Sequence, residues 1–393
     1  MQAYRETAMR VGVITCPMLF QAHSALRDEV HAMLAAFERL PSSVAHGKTE
    51  LSLVEPLRHN LDDYDVIHVL GVTNGNHVAV DAAAACGVPV VLTPLIGQRW
   101  CWLDGWRARL AAAVLAGPGG VAATEYDWTR QALCQATLVL ARSRREMGAL
   151  RAAFPLSPGR VRLLPPALAD ACFAADAALF RQHSGMAGPF ALMANPIDGG
   201  HEQMAMAAAL GALALPLVVI GAVAQGDGGG LRRLRQLTQV RRLAHLDFHP
   251  RLRASVFAAA SMFIDAGAAA QRDRGGAAPG DLAALPALAA LAAGTVVVAP
   301  PARARALPDS VDAVRRLRWD ARRRDAIVRE LRALRDAPPV RELVRASVAG
   351  HRWPAIATRL AHCYVDAIAL RGPVANVFVG SAGTVPVQER AWR

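Results

Sequence analysis

The stretch GDLAALPALAALAAGTVVVAP (Gly280–Pro300) carries one titratable side chain, the carboxylate of Asp281. A loop, an Ala/Leu helix over 286–293, a glycine at Gly294 and a Val-rich strand follow one another there. Such a frame leads one to expect two acids, one before the helix and one on it, and only the first is present. A second polar cluster, NPIDGGHEQ (195–203), offers Asn195, Asp198 and His201 as hydrogen-bonding or proton-carrying groups. Its Gly199 and Gly200 stand just before a helix, and Gly221 ends the apolar run PLVVIG. At such positions bare backbone N–H groups can approach an anion.

Other chemistries find less support. The six cysteines (Cys16, Cys86, Cys101, Cys134, Cys172, Cys363) are widely spaced, with no C-x-x-C and no Cys/His cluster. They read as reduced, mostly buried thiols of a cytoplasmic protein, and no metal site is expected. No G-x-G-x-x-G follows the first strand, and GPGG (117–120) does not follow one, which disfavours a dinucleotide oxidoreductase. No signal peptide and no membrane-spanning run stands out. The net charge is +12, and Lys48 is the only lysine, so the excess is arginine. GC-rich coding is the plain explanation. Docking to an anionic membrane face is the functional one, and it predicts vesicle binding that salt abolishes. The arginines of Arg315–Asp336 alternate with apolar residues at helical spacing, which predicts an amphipathic surface helix. No aromatic-interleaved basic motif appears, so nucleic acid is not an expected partner.

The elements that must position these residues come in two runs. The first predicts strands at 10–16, 63–71, 88–94, 136–141 and 160–165. Helices are expected at 24–40 (capped by Ser24), 76–87 (ended by Gly87) and 143–154. After a break near 170–189 the second run predicts strands at 190–195, 215–221, 243–248, 261–266 and 295–300. Its helices fall at 202–210, 231–240, 251–260 and 286–293. Strands without alternation, separated by helices, belong to parallel sheets covered on both faces. The expected class is α/β, with two doubly wound Rossmann-like domains facing across a cleft. Ligands bind in such sheets at the carboxyl ends of the strands. The boundaries read as 1–170 for the first domain, completed by a terminal helix at 353–370, then 188–350 for the second and a tail at 371–393.

LARSRREMGALRAAF with VRLLPPALADACF, then PLVVIG, HLDFHPRLRASVFAAASMFIDA and HRWPAIATRLAHCYVDAI together resemble the bacterial family-4 (group 1) retaining glycosyltransferases of GT-B architecture. The resemblance covers nearly the whole chain. It implies a nucleotide-sugar donor held by the second domain, a glycan acceptor on the first, no metal, and a terminal helix anchored by Trp353 and Tyr364. It also implies a pyrophosphate grip of Arg and Lys after the first strand of the second domain, where this chain has Pro196 and His201. Of the family's paired acids, Asp281 retains the first position, near the reacting sugar. Ala289 replaces the second, which grips the donor ribose. The glycine loop after the first strand is absent, and Pro94 and Leu95 stand where a His often follows VPVVLT.

Asp281 and His201 are therefore the candidate catalytic residues. Asn195, Asp198, Gly199, Gly200, Gly221, Ala289 and Gly294 are the candidate donor contacts. One reading is an active enzyme with a rebuilt site that also draws on His23 and His77. The other is a degenerate glycosyltransferase of surface glycan or glycoconjugate assembly, acting as the partner or scaffold of an active one. A nucleotide-sugar epimerase would need its own acid/base pair, for which no good candidates appear.

Overall fold

The computed structural model of the chain describes residues 8–16, 19, 25–44, 47–72, 75–96, 106, 125–194, 197, 199–220, 228–243, 250–266, 285–305, 307–310, 312–317 and 324–371. Six parallel strands form a first sheet: β1 (Met9–Ile14), β2 (Thr49–Leu53), β3 (Val66–Leu70), β4 (Val90–Thr93), β5 (Leu138–Ala141) and β6 (Val161–Leu163). Their order is β2-β1-β3-β4-β5-β6, with Val11 opposite both Leu51 and Val66. Helices α1 (Ala25–Glu38), α2 (Asn76–Ala85), α3 (Glu125–Gln135) and α4 (Arg144–Ala153) connect them. Every residue of β3, β4 and β5 is buried, which is why these strands read as continuous apolar runs.

Two short helices, α5 (Asp170–Phe173) and α6 (Ala177–Ser184), lead into a second sheet. It consists of β7 (Ala191–Met193), β8 (Leu217–Val219), β9 (Val240–Arg242), β10 (Met262–Ile264), β11 (Val297–Ala299) and β12 (Val314–Arg316). All pairs are parallel, in the order β12-β11-β10-β7-β8-β9. The helices here are α7 (His201–Ala212), α8 (Gly228–Leu237), α9 (Pro250–Ala259), α10 (Leu285–Ala292), α11 (Pro301–Ala304), α12 (Arg324–Asp336) and α13 (Arg341–Ala346). Alternate residues of each strand feed two cores. Leu192 and Phe263 face Phe257 and Leu291, while Met193 and Ile264 face Met206 and Leu331. Phe173 and Phe180 of the connecting helices pack into this second sheet's core.

Both edge strands of the second sheet have the sequence Val-Arg-Arg. Charged side chains on an edge discourage pairing with another chain, and they also hide the strand from an apolar-run reading. A strand not expected from the sequence, β9, follows α8, which stops at Leu237, and the strand expected at 243–248 lies outside the described residues apart from Leu243. The helix expected from Arg315 begins as β12, its residues 318–323 lie outside the described ones, and from Arg324 it is helical, with Ile327, Leu331 and Leu334 as its buried stripe. Strand β2 and helix α3 have no counterpart among the expected elements. Burial in β2 follows a one-sided edge pattern. Ser143 caps α4 by accepting from the Glu146 N–H. Ser24 lies outside the described residues. None of the five described cysteines is in a disulfide, and none is fully buried, because Cys86 and Cys134 lie on exposed helix faces. Burial pushes the half-buried Cys363 thiol up to about 11. No helix among the described residues is long and apolar enough to cross a membrane.

The terminal helix α14 (Trp353–Arg371) returns to the first sheet and packs with α1 on the face of Val13, Val66 and Val91. The chain leaves and re-enters side by side. Leu168 bridges Arg352, the Leu168 N–H donates to the His351 carbonyl, and His351 Nδ1 lies 2.8 Å from the Pro166 carbonyl. Tyr364 is fully buried, and its hydroxyl is 2.8 Å from Nδ1 of His68 on β3, whose Nε2 is 2.9 Å from the Thr93 hydroxyl. Burial drives the His68 pKa down to about 3, so the ring is neutral. A neutral ring donates from one nitrogen and accepts at the other, which both hydroxyls can satisfy.

Tyr364→Phe leaves a buried ring nitrogen without a partner and should cost about 1–3 kcal/mol, read by denaturant unfolding at neutral pH. His68 adds a pH signature. Its folded pKa lies below the unfolded 6.5, so the unfolded chain binds the extra proton. This stability is complete above about pH 6.5 and falls as pH drops towards 3, by up to about 1.4 kcal/mol per unit. His68→Gln should flatten that part of the stability–pH curve.

Candidate functional site

The order of the second sheet reverses between β7 and β10, and ligands of open α/β sheets bind outside the carboxyl ends at such a point. At this point the structure describes Gly199 and Gly200 ahead of α7 and the end of β10. Gly199 turns with φ of 62°, a left-handed value that favours glycine, and Gly200 precedes α7 as its N-cap. The Gly199 N–H donates to Oε1 of Gln203 at 3.2 Å, and Gln203 Nε2 donates to the Ala266 carbonyl at 3.5 Å. Gln203 is 1% exposed, so one buried amide ties both sides of the crevice together. Sequence reasoning passed over it, because a lone Gln inside a helix does not signal contacts with the end of a strand some sixty residues away.

Asp265, just past β10, forms an ion pair with Arg303 of α11 at 2.5 Å, with both side chains at least nine-tenths buried. Neither residue was expected at the site. In sequence they are an acid ending one strand and an arginine in an arginine-rich run after another. The pair puts a guanidinium at the carboxyl edge and neutralises it there.

His201 opens α7 and is exposed. Ala289 is half-buried on α10 and packs against the core with its neighbours Leu288 and Ala290. Gly294 lies elsewhere. It follows the carboxyl end of α10 with φ of 81°, before β11, at the amino-terminal edge of the sheet. A Cβ there would meet Arg341 at 3.0 Å, so glycine serves the helix stop and a close approach. The structure thus brings Gly199, Gly200 and His201 together and sets Gly294 apart. Asp281, Asn195, Asp198, Gly221, Pro196 and His23 lie outside the described residues. His77 stacks on Trp128 with ring centroids 5.2 Å apart. Among the described residues no group of three His, Cys, Asp or Glu side chains is placed to hold a metal.

The first sheet presents its own carboxyl edge. Arg142, just past β5, is buried and pairs through Nη1 with Glu29 of α1 at 2.9 Å, while its backbone N–H donates to Glu146. Asn76 is buried at the start of α2 and donates to the carbonyls of Leu70 and Gly71. Leu95, past β4, takes φ of 51° with its side chain buried. Asp28 at the start of α1 lies 3.7 Å from Arg253 at the start of α9. Both helices start at carboxyl ends, so this contact sets the two edges facing each other.

No protein-family model matches the chain, and no curated protein matches it. Solved structures do match. Sucrose-phosphate synthase from Thermosynechococcus elongatus aligns with TM-score 0.60 over 92% of this chain and 99% of that one, at 15% identity. AviGT4, a glycosyltransferase involved in avilamycin A biosynthesis, gives 0.53 over 92% and 98% at 14% identity. HepE of Anabaena, in complex with UDP, gives 0.52 over 92% and 97% at 12% identity. The fold is GT-B. At these identities the likeness is one of architecture.

The Asp265–Arg303 pair makes a direct prediction for this GT-B frame. Arg303→Leu takes a charged partner away from a buried carboxylate and should destabilise the protein by about 3–5 kcal/mol. Replacing both partners with leucine should recover most of that loss. Calorimetric unfolding of the two single variants and the double variant measures the cycle.

Proposed function

We propose that the chain is a glycosyltransferase-like protein of surface glycan or glycoconjugate assembly that has lost its grip on the donor pyrophosphate. In this reading it serves an active glycosyltransferase as a non-catalytic partner. The observation that carries the proposal is the electrostatics of the carboxyl edge of the second sheet. An exposed histidine stands at the start of α7, a methyl group stands on α10, and the guanidinium of Arg303 is already neutralised by Asp265. Charge develops on the leaving pyrophosphate as a glycosidic bond breaks, and a fixed cation at that point is worth about 10²–10³ in rate. The bacterial family-4 enzymes that the sequence resembles carry such cations at the positions matched by Pro196 and His201, where this chain has none that is permanent. Leu95 supports the same reading. The loop after β4 keeps a strained left-handed turn while carrying a buried apolar side chain instead of a histidine.

Within this proposal, residues 1–170 with helix 353–370 form the acceptor-side domain, and 188–350 form the donor-side domain. The protein sits in the cytoplasm or at the inner face of the membrane, next to a glycan acceptor and its partner enzyme. A second reading, an active enzyme with a rebuilt site, draws on Arg303. It requires the Asp265 pair to open in favour of a phosphate.

Calorimetric titration with UDP-, GDP- and ADP-sugars tests the proposal. With no permanent cation at Pro196 or His201, binding should be weak, in the millimolar range of about 4 kcal/mol. Pro196→Arg, His201→Lys and Ala289→Glu together should raise affinity by at least about tenfold for one donor. Tight binding by the wild-type chain would sink the proposal.

A further inference from the structure

Opposite the donor edge, at the amino-terminal edge of the second sheet, lies a cavity of about 320 Å³. Ser261 and Thr295, which precede β10 and β11, form its floor. Among the described residues three that bear a guanidinium line it, Arg181 of α6, Arg335 of α12 and Arg341 of α13, and no aspartate or glutamate does. Backbone carbonyls orient all three. Arg181 donates to Ala187, Arg341 to Ala258 at 2.6 Å, and Arg335 to Leu213 at 3.4 Å. A guanidinium has five N–H donors in a planar fork, so these bonds hold each group in place and leave donors over.

Arg181 and Arg335 sit in the last turns of their helices, where a cation complements the helix dipole. Arg341 opens its own helix, where a cation does not complement the dipole, and its Nη1 reaches the last-turn carbonyl of Ala258 in α9 instead. Burial and the like charges of Arg345 and Arg181 push Arg341 below the usual guanidinium value, against the pull of Glu342. Asp336 and Glu342 offset part of the charge from outside the cavity. The space equals about ten waters, enough for a phosphorylated small molecule.

We propose that this cavity binds a small anion bearing phosphate groups, gripped by the guanidinium forks of Arg181, Arg335 and Arg341. Bidentate Arg–phosphate geometry is the recognition this arrangement fits. The inference goes beyond the function proposed above and does not depend on it, since the cavity lies at the other end of the strands.

The test is calorimetric titration of the full chain with inorganic pyrophosphate at low salt. Saturable binding is expected, weakened at least about tenfold in Arg341→Gln and in Arg181→Gln. Arg329→Gln, an equal charge change on the exposed face of α12, should leave it unchanged. The wild-type chain gives an independent readout that no folding defect can blur. Pyrophosphate should protect Arg181 and Arg341 from phenylglyoxal, as read by mass spectrometry. Absent binding, binding that both Gln variants retain, or arginines that react equally with and without pyrophosphate would each overturn the proposal.

Discussion

A parallel sheet must be covered on both faces, because its strands expose apolar side chains to each. In the first sheet, α2, α3 and α4 cover the face of Ile67, Val69 and Leu92. The opposite face, with Val13, Val66 and Val91, has α1 and then waits for α14, which the chain supplies only after the whole second sheet has been built. The second sheet is thereby held at two adjacent crossings, near Leu168 and Arg352. The hydrogen-bonded seat of Tyr364 on His68 fixes the return. Two crossings restrain orientation where one would leave a hinge, and the Asp28–Arg253 contact closes the arrangement at the carboxyl edges.

The arginine excess has a structural distribution. Arg241, Arg242, Arg315 and Arg316 charge the two edges of the second sheet. Arg142 and Arg303 are buried in ion pairs at the two carboxyl edges. Arg160 donates to carbonyls at the end of α3, and Arg359 of α14 donates to the Leu163 carbonyl. Much of the positive charge thus finishes edges, helix ends and crossings. An anionic membrane surface is not needed to account for it.

Central strands were legible in sequence because burial on both faces leaves no alternation, as in VIHVL of β3 and LVLA of β5. Edge strands were not. TELSL of β2 alternates with polar residues, and the Val-Arg-Arg strands contain one apolar residue each. The arginine-rich run through β12 looked helical. At the site, Gly199, Gly200 and His201 were legible from the glycine pair before a helix. Gln203 and the Asp265–Arg303 pair were not, since their meaning lies in partners distant along the chain. Gly294 was legible as the glycine between a helix and a strand, yet its placement at the opposite edge depends on the direction of β11.

The claim that the frame persists while its donor chemistry has gone is tested most directly by turnover. The wild-type chain, incubated with a panel of nucleotide sugars and lipid-linked or protein acceptors, is assayed for released nucleoside diphosphate and for glycosylated product. The prediction is no release and no product above a protein-free control. Robust transfer that disappears in Asp281→Asn or His201→Ala would contradict it and would mean that the site was rebuilt.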